Sequence, residues 1–312
     1  MAPLPPAPSP TLPRRWLALD VIASGFVGAT ILVVLLNLSE VPGAPFVIAG
    51  HVALLAVYAL LRWGAAHRPR LRTAFIVYLF AFVLAIFQAM GLIIKHVRGG
   101  VVMDPALAVL DVRLFGSDPT RWLEPFLNPW TTLVLEICYS SYFFLPVLLT
   151  VLVLRQRRYA DFLSYAATIV GCFFTTYVGY YLVPAYGPRA HVAYETPLPL
   201  GDVAAALYRV IDWLDYIRLN AFPSGHTAVS LVCLAILWRE SRRAAAFSTP
   251  LVAGLILATL AHRYHYMIDV VAGVLVAMLW VPFGMRLVFR FDRRGEPRAG
   301  APGCEGAPGA DA

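Results

Sequence analysis

Histidine, arginine and aspartate recur in three short segments of an otherwise apolar chain of 312 residues. The first is Pro184-Ala185-Tyr186-Gly187-Pro188-Arg189-Ala190-His191. The second is Phe222-Pro223-Ser224-Gly225-His226. The third is His262-Arg263-Tyr264-His265-Tyr266-Met267-Ile268-Asp269. Together these residue types suit a phosphate group. Arg189 offers a planar, permanently charged fork for phosphate oxygens. Pro223 suits the start of a helix, which puts the Ser224 and Gly225 amides at its positive end, where anions bind. The Ser224 hydroxyl adds a donor. His265 and Asp269 are four apart, the spacing of one helix face. The carboxylate is then expected to hold one ring nitrogen, leaving the other as base or nucleophile. His226 is left to protonate a leaving alkoxide.

Each fragment alone also fits a plain turn, a helix cap or an interfacial anchor; it is their combination that points to a site. A rival reading takes His262, His265 and Asp269 as zinc ligands, but it leaves Arg189 and the Ser-Gly helix start unexplained. The expectation is therefore a site without metal or cofactor. Among the other histidines, His51 reads as a packed, hydrogen-bonded residue and His67 as part of a basic loop. His96 and His191 fall on the same side as the three segments.

These residues need elements to hold them. Apolar types make up 60% of the chain and charged types only 14%, against about 25% charged in a soluble domain. Lipid is the expected solvent. Eight segments approach the roughly 20 apolar residues that cross a bilayer: Leu17–Leu38, Pro45–Trp63, Thr73–Ile94, Trp130–Leu154, Phe162–Val183, Ser224–Trp238, Ser248–Ala261 and Tyr264–Phe289. The first follows Arg14 and Arg15 but is too long for a signal-peptide core and reads as a retained helix. Alternating crossings put 17 of the 25 basic residues on one side, at the chain ends and around Arg68, Arg157 and Arg242. The positive-inside rule then makes both termini cytoplasmic and places all three segments on the opposite face. The net charge of +7 is explained by these helix-end arginines, without nucleic acid. The stretch Asp202–Asn220 is amphipathic at helical spacing, with Tyr208, Trp213 and Tyr216 suited to the headgroup boundary. It reads either as a helix lying in the interface or as ordinary packing on the bundle. No cysteine spacing suggests a disulfide framework. An arginine-rich, nearly lysine-free composition points to a GC-rich genome and a bacterial plasma membrane.

The segments resemble the type 2 phosphatidic acid phosphatase superfamily. Its second motif is matched by Pro223, Ser224, Gly225 and His226. The end of its third is matched by His265 and Asp269, followed by Ala272 and Gly273. By this resemblance His265 is a nucleophile that forms a phosphohistidine, and His226 protonates the leaving group. The implied fold is an all-α, polytopic transmembrane bundle with a six-helix catalytic core. That divides the chain into an unstructured start (1–16), two N-terminal membrane helices (17–72), the core (73–290) and an unstructured tail (291–312). The chain departs from the pattern twice: Leu182 and Thr259 stand where the superfamily has lysine and arginine. The Gly187-Pro188-Arg189 run and Leu135-Glu136-Ile137-Cys138-Tyr139-Ser140-Ser141-Tyr142 resemble instead the branch containing inositol phosphorylceramide synthases, the aureobasidin-resistance proteins. Arg263 is then the expected substitute phosphate ligand. The implied activity is phosphoryl transfer on a lipid headgroup, with a phospholipid or lipid phosphate as substrate. The alternatives are a lipid or polyprenyl phosphate phosphatase, or a non-catalytic lipid binder or transporter on the same fold.

Overall fold

Apolar runs interrupted by capping residues become the helices of the computed structural model, which describes residues 15–97, 99–214 and 217–294. The proline-rich start and the Gly-Pro-Ala tail, both expected to be unstructured, otherwise lie outside these residues. Thirteen α-helices and no strand occur among the described residues. Helices α1 (Ala18–Leu36), α2 (Ala44–His67) and α3 (Leu71–Val97) run back and forth. Next come α4 (Asp104–Phe115) and a 3-10 segment, Pro119–Phe126. Helices α5 (Pro129–Ser140) and α6 (Leu145–Arg155) follow, bent by 46° from one another. Helix α7 (Tyr159–Leu182) leads to the short α8 (Pro188–His191) and to α9 (Asp202–Leu214). The chain ends in α10 (Gly225–Glu240), α11 (Arg242–Ala261), α12 (Met267–Leu279) and, through a π-turn, α13 (Met285–Asp292).

Five of these helices (α1, α2, α3, α7 and α11) and the continuous run from α12 through the π-turn to α13 are long and apolar enough to cross a membrane, and the bent α5–α6 pair makes a seventh span. The eighth expected span is α10. Its 16 residues reach about 24 Å at ~1.5 Å per residue, short of the ~30 Å hydrocarbon core. Ser224 and Ser241 set its length: Ser224 caps its first turn, and Ser241 ends it while capping α11. Helix α10 does not need the full length because it faces protein. Ala228, Val229, Val232, Cys233, Ile236 and Leu237 are all buried, against α7, α11 and α12.

The outer surface is the reverse. Phe46, Leu60, Phe247 and Leu275 are all more than half exposed, a surface suited to lipid and not to water. Several polar groups that enter the bundle are paired. Asp20 of α1 holds Arg62 of α2 at 3.2 Å and accepts from Tyr58 at 2.8 Å. His51 bonds the Val47 carbonyl within its own helix. Helix α13 runs past the expected core boundary at 290, to Asp292. The Asp292 carboxylate accepts from the Ala18 amide (2.7 Å) and the Ser164 hydroxyl (2.6 Å), tying the last helix to α1 and α7. At the same end, Arg158 bridges Asp161 and Glu240.

Candidate active site

The three segments meet at the other end of the bundle, and their backbones are bonded to one another. The Arg189 amide donates to the Arg263 carbonyl (2.9 Å), the Ala221 amide to the Ala185 carbonyl (3.1 Å), and the Ser224 amide to the Asp269 carbonyl (2.9 Å). Two glycines permit these approaches. A Cβ on Gly273 would stand 2.5 Å from the Ser224 carbonyl oxygen. Gly187 has φ +89° and would put a Cβ 2.1 Å from the Tyr264 carbonyl oxygen.

Helix α4 holds the assembly from above. Asp104, at the start of α4, accepts from the amides of Tyr186 (2.9 Å) and Gly187 (2.8 Å) and from the Tyr266 hydroxyl (3.2 Å). Asp111, two turns on, accepts from the amides of Met267 (2.8 Å) and Ile268 (2.9 Å), at the positive end of α12. Buried carboxylates facing first-turn amides are stabilised by charge-assisted bonds and by the helix dipole. Asp104→Asn would leave at least one of three donors facing an amide NH2, at a cost of about 1–3 kcal/mol. The expected result is a lower melting temperature in detergent and a higher KM, because the loop that carries Arg189 loosens. Unchanged KM would count against this positioning role.

Within this frame Arg189, His226 and His265 line one small pocket with Ala221, Asn220, Tyr139, Tyr186 and Tyr264. The two histidine rings are 5.9 Å apart between centroids. His265 Nδ1 lies 2.8 Å from the Ala221 carbonyl oxygen. A carbonyl only accepts, so Nδ1 carries the proton and the lone pair sits on Nε2. This corrects the expected pairing. Helix α12 begins at Met267, so His265 precedes it and does not share a helix face with Asp269. The Asp269 carboxylate reaches back to cap Tyr266, accepting its amide at 2.8 Å, as a third-position acid does in a capping box. It stands 3.6 Å from His265 Nδ1, near enough to stabilise positive charge on the ring.

His226 stacks on Tyr139 (4.6 Å) and leans on Tyr142 (4.3 Å), with Nδ1 3.4 Å from the Tyr139 hydroxyl. Its amide and that of Gly225 belong to the first turn of α10, which a helix leaves without internal partners. Ser224 differs from the expectation: its hydroxyl caps α10 by accepting from Thr227, and its amide goes to Asp269. Neither group is aimed at the pocket.

Arg263 differs too. It does not line the pocket. Its guanidinium bonds Glu124 (3.1 Å) and the Thr196 carbonyl (3.0 Å) and lies over the Tyr194 ring at 3.7 Å. His262 is fully buried with Nδ1 2.9 Å from Glu136 Oε2. The break between α11 and α12 thus separates His262 from His265 and Asp269. Among the described residues no cluster of histidine, cysteine or acidic side chains is gathered as a metal site. His191 is exposed at the end of α8.

Helix α9 covers the pocket. Tyr208 stacks on Tyr264 (5.5 Å), Ile211 is buried, and Asp212 binds Arg189 at 2.9 Å and Arg218 at 2.7 Å. Its other face leaves Val203, Val210 and Trp213 exposed. Of the two readings of this stretch, packing on the bundle is what the contacts of its inner face give. Tyr208 turns inward to stack on Tyr264, and Tyr216 lies outside the described residues. Tyr264 also stacks on Tyr139 (4.8 Å) and carries the Arg189 guanidinium over its face at 4.6 Å. Burial raises the Tyr264 phenol well above its ordinary pKa, so the ring under Arg189 stays neutral. With α9 in place the pocket measures only about 10 Å³, room for about one water. A phosphate needs more room than this.

Asp104, Asp111, Asp212 and Tyr264 join the site without having been expected there. The first two had a signal: carboxylates seven apart on a helical stretch share a face. Glu136 had one also, as an acid within an apolar span.

No curated protein and no solved structure matches the chain. The PAP2 superfamily matches it over residues 106–283, from within α4 to the π-turn after α12, which is more than half its length. With its bundle of apolar helices and its phosphate-suited pocket, the chain belongs to the PAP2 superfamily of membrane phosphatases and phosphotransferases.

Proposed function

We propose that the protein is a lipid phosphotransferase, of the kind the inositol phosphorylceramide synthase branch represents, working through a phosphohistidine on His265. Nε2 of His265 attacks the phosphorus and forms the N–P bond. The P–O bond to the lipid alcohol breaks, its electron pair stays on oxygen, and His226 supplies the proton. In the second half the roles reverse. His226 takes the proton of an acceptor hydroxyl, that oxygen bonds phosphorus, and the N–P electron pair returns to His265. Arg189 and the first-turn amides of α10 hold the phosphate oxygens, and Asp269 steadies the charged ring.

One observation carries the choice of transfer from a phosphodiester. Arg189 is the one cationic side chain that lines the pocket with the two histidines among the described residues. The positions of the missing basic residues do not help. Leu182 is exposed, and the buried Thr259 hydroxyl bonds the Ile256 carbonyl of its own helix. Arg263 is committed to Glu124. A single guanidinium suits the one charge of a phosphodiester better than the nearly two of a terminal phosphate. Cover by α9 adds to this, since a closed site favours a bound hydroxyl over bulk water.

The test offers purified protein phosphatidic acid, phosphatidylinositol, and ceramide or diacylglycerol in mixed micelles. Product that requires both the diester and the hydroxyl lipid is expected. Inorganic phosphate from phosphatidic acid, with no acceptor-dependent product, would establish the phosphatase reading instead.

A further inference from the structure

Helix α4 is inside out for a helix in water. Its carboxylates point inward. Asp104 and Asp111 share one face and accept the backbone amides of Tyr186, Gly187, Met267 and Ile268. The rest of its circumference is apolar and uncovered. Val109, Leu110, Val112 and Leu114 are 38–57% exposed, and Arg113 is the one charged residue among them. A helix apolar around most of its girth is expected to be buried in protein or in lipid. No described part of the chain covers this face.

The level of α4 in the bundle decides between the two. It lies across the ends of two membrane spans. Asp104 bonds the loop just past α7, and the Met103 amide beside it donates to the Pro184 carbonyl at 2.8 Å. Asp111 bonds the first turn of α12, where the span Met267–Asp292 begins. The helix is thus pinned at two points about 10 Å apart along its axis, at ~1.5 Å per residue, and both are at the depth where hydrocarbon gives way to headgroups. The headgroup layer is about 5–7 Å deep on each side, and a helix is about 10–12 Å across, so α4 cannot stand clear of it. Exposed apolar surface continues on either side in sequence, at Leu92 near the end of α3 and at Trp122 and Trp130 after α4. Tryptophan is enriched at this boundary. A protein partner fits less well. The helix is about 18 Å long, with a footprint of about 200 Å², against about 800 Å² per partner in a stable protein interface.

We propose that α4 is a lipid-binding helix whose apolar face is immersed in the leaflet at the catalytic end, and that the membrane thereby holds Asp104 and Asp111 against the segments that carry Arg189 and His265. The long stem of Arg113 lets its charge reach headgroup phosphates from this face. The immersion is independent of the reaction. Its effect on turnover rests on the roles given above to Arg189 and His265.

The experiment uses the full chain in phosphatidylcholine nanodiscs, with Cys304 replaced by serine; Cys138, Cys172 and Cys233 are buried. Val109→Cys and Leu114→Cys are labelled with bimane. Quenching by a lipid with a nitroxide near the top of its acyl chain is compared with quenching by aqueous iodide. Leu275→Cys, in the α12 span, sets the lipid limit, and the bimane adduct of free cysteine sets the water limit. At both α4 positions lipid quenching should reach at least about half the Leu275 value, and iodide quenching should fall about fivefold below the free adduct. Iodide quenching near the water limit would overturn the proposal. Protection from both quenchers would put a second copy or another protein on this face and would overturn it too. Leu110→Glu then places a charge in the immersed face, and kcat/KM on whichever substrate the native protein consumes should fall about fivefold, chiefly through KM. Leu110→Phe should stay within about twofold, and the milder Leu110→Gln should lie between, which separates a graded loss of hold from a failure to fold. Lipid quenching as expected, with kcat/KM unchanged in Leu110→Glu, would overturn the hold on the site.

Discussion

His265→Ala should lower turnover at least about a thousandfold, since removing a nucleophile disables both halves of a double displacement. The fold should survive the change. His265 lies before α12, and the Tyr266 amide that starts the helix is held by Asp269 and not by the histidine. The measurement is kcat on the preferred donor, beside a melting curve of the same preparation. Residual activity above a few per cent would remove His265 from the nucleophile role. Asp269→Asn should fall between this variant and the native protein. Its amide oxygen can still cap Tyr266, but the charge 3.6 Å from His265 Nδ1 is lost.

His226→Ala should be nearly as severe with a lipid alcohol as leaving group and much milder with an activated aryl phosphate ester. A general acid contributes about 10²–10⁴-fold when the leaving oxygen needs a proton, and little when it does not. The geometry adds a second reason to expect the contrast. His226 lies between Tyr139 and Tyr142 and also lines an apolar cavity of about 310 Å³ among α3, α6 and α7, where a lipid oxygen would sit. Equal losses on both substrates would leave His226 a positioning role only.

That the three segments belong together was more legible in the sequence than the contacts that join them. Arg189, His226 and His265 were identifiable because ionisable residues are costly near lipid and rarely gather there without a role. The membrane helices followed from apolar length alone. Other features depended on contacts that spacing does not reveal. The four-residue step from His265 to Asp269 suggested one helix face, but a helix start falls between them. The break frees His265 to bond Ala221, a residue 44 positions earlier in the chain. Arg263 looked like a spare phosphate ligand until Glu124, from the 3-10 segment after α4, was found to hold it. Ser224 was read as a donor because proline often opens a helix. The helix instead starts at Gly225, two residues after the proline, and the serine caps it. Asp104 and Asp111 were hidden in a long connection whose fold over the site no periodicity reports.

The most direct test of the central claim is to trap the intermediate. Protein mixed with a headgroup-labelled phosphodiester, without acceptor, is quenched in base, digested and mapped by mass spectrometry. The account predicts the phosphoryl-linked headgroup on the peptide that contains His265, gone on addition of a hydroxyl lipid and absent from His265→Ala. Acceptor-dependent product formed with no adduct on His265, or with the adduct on another residue, would contradict it.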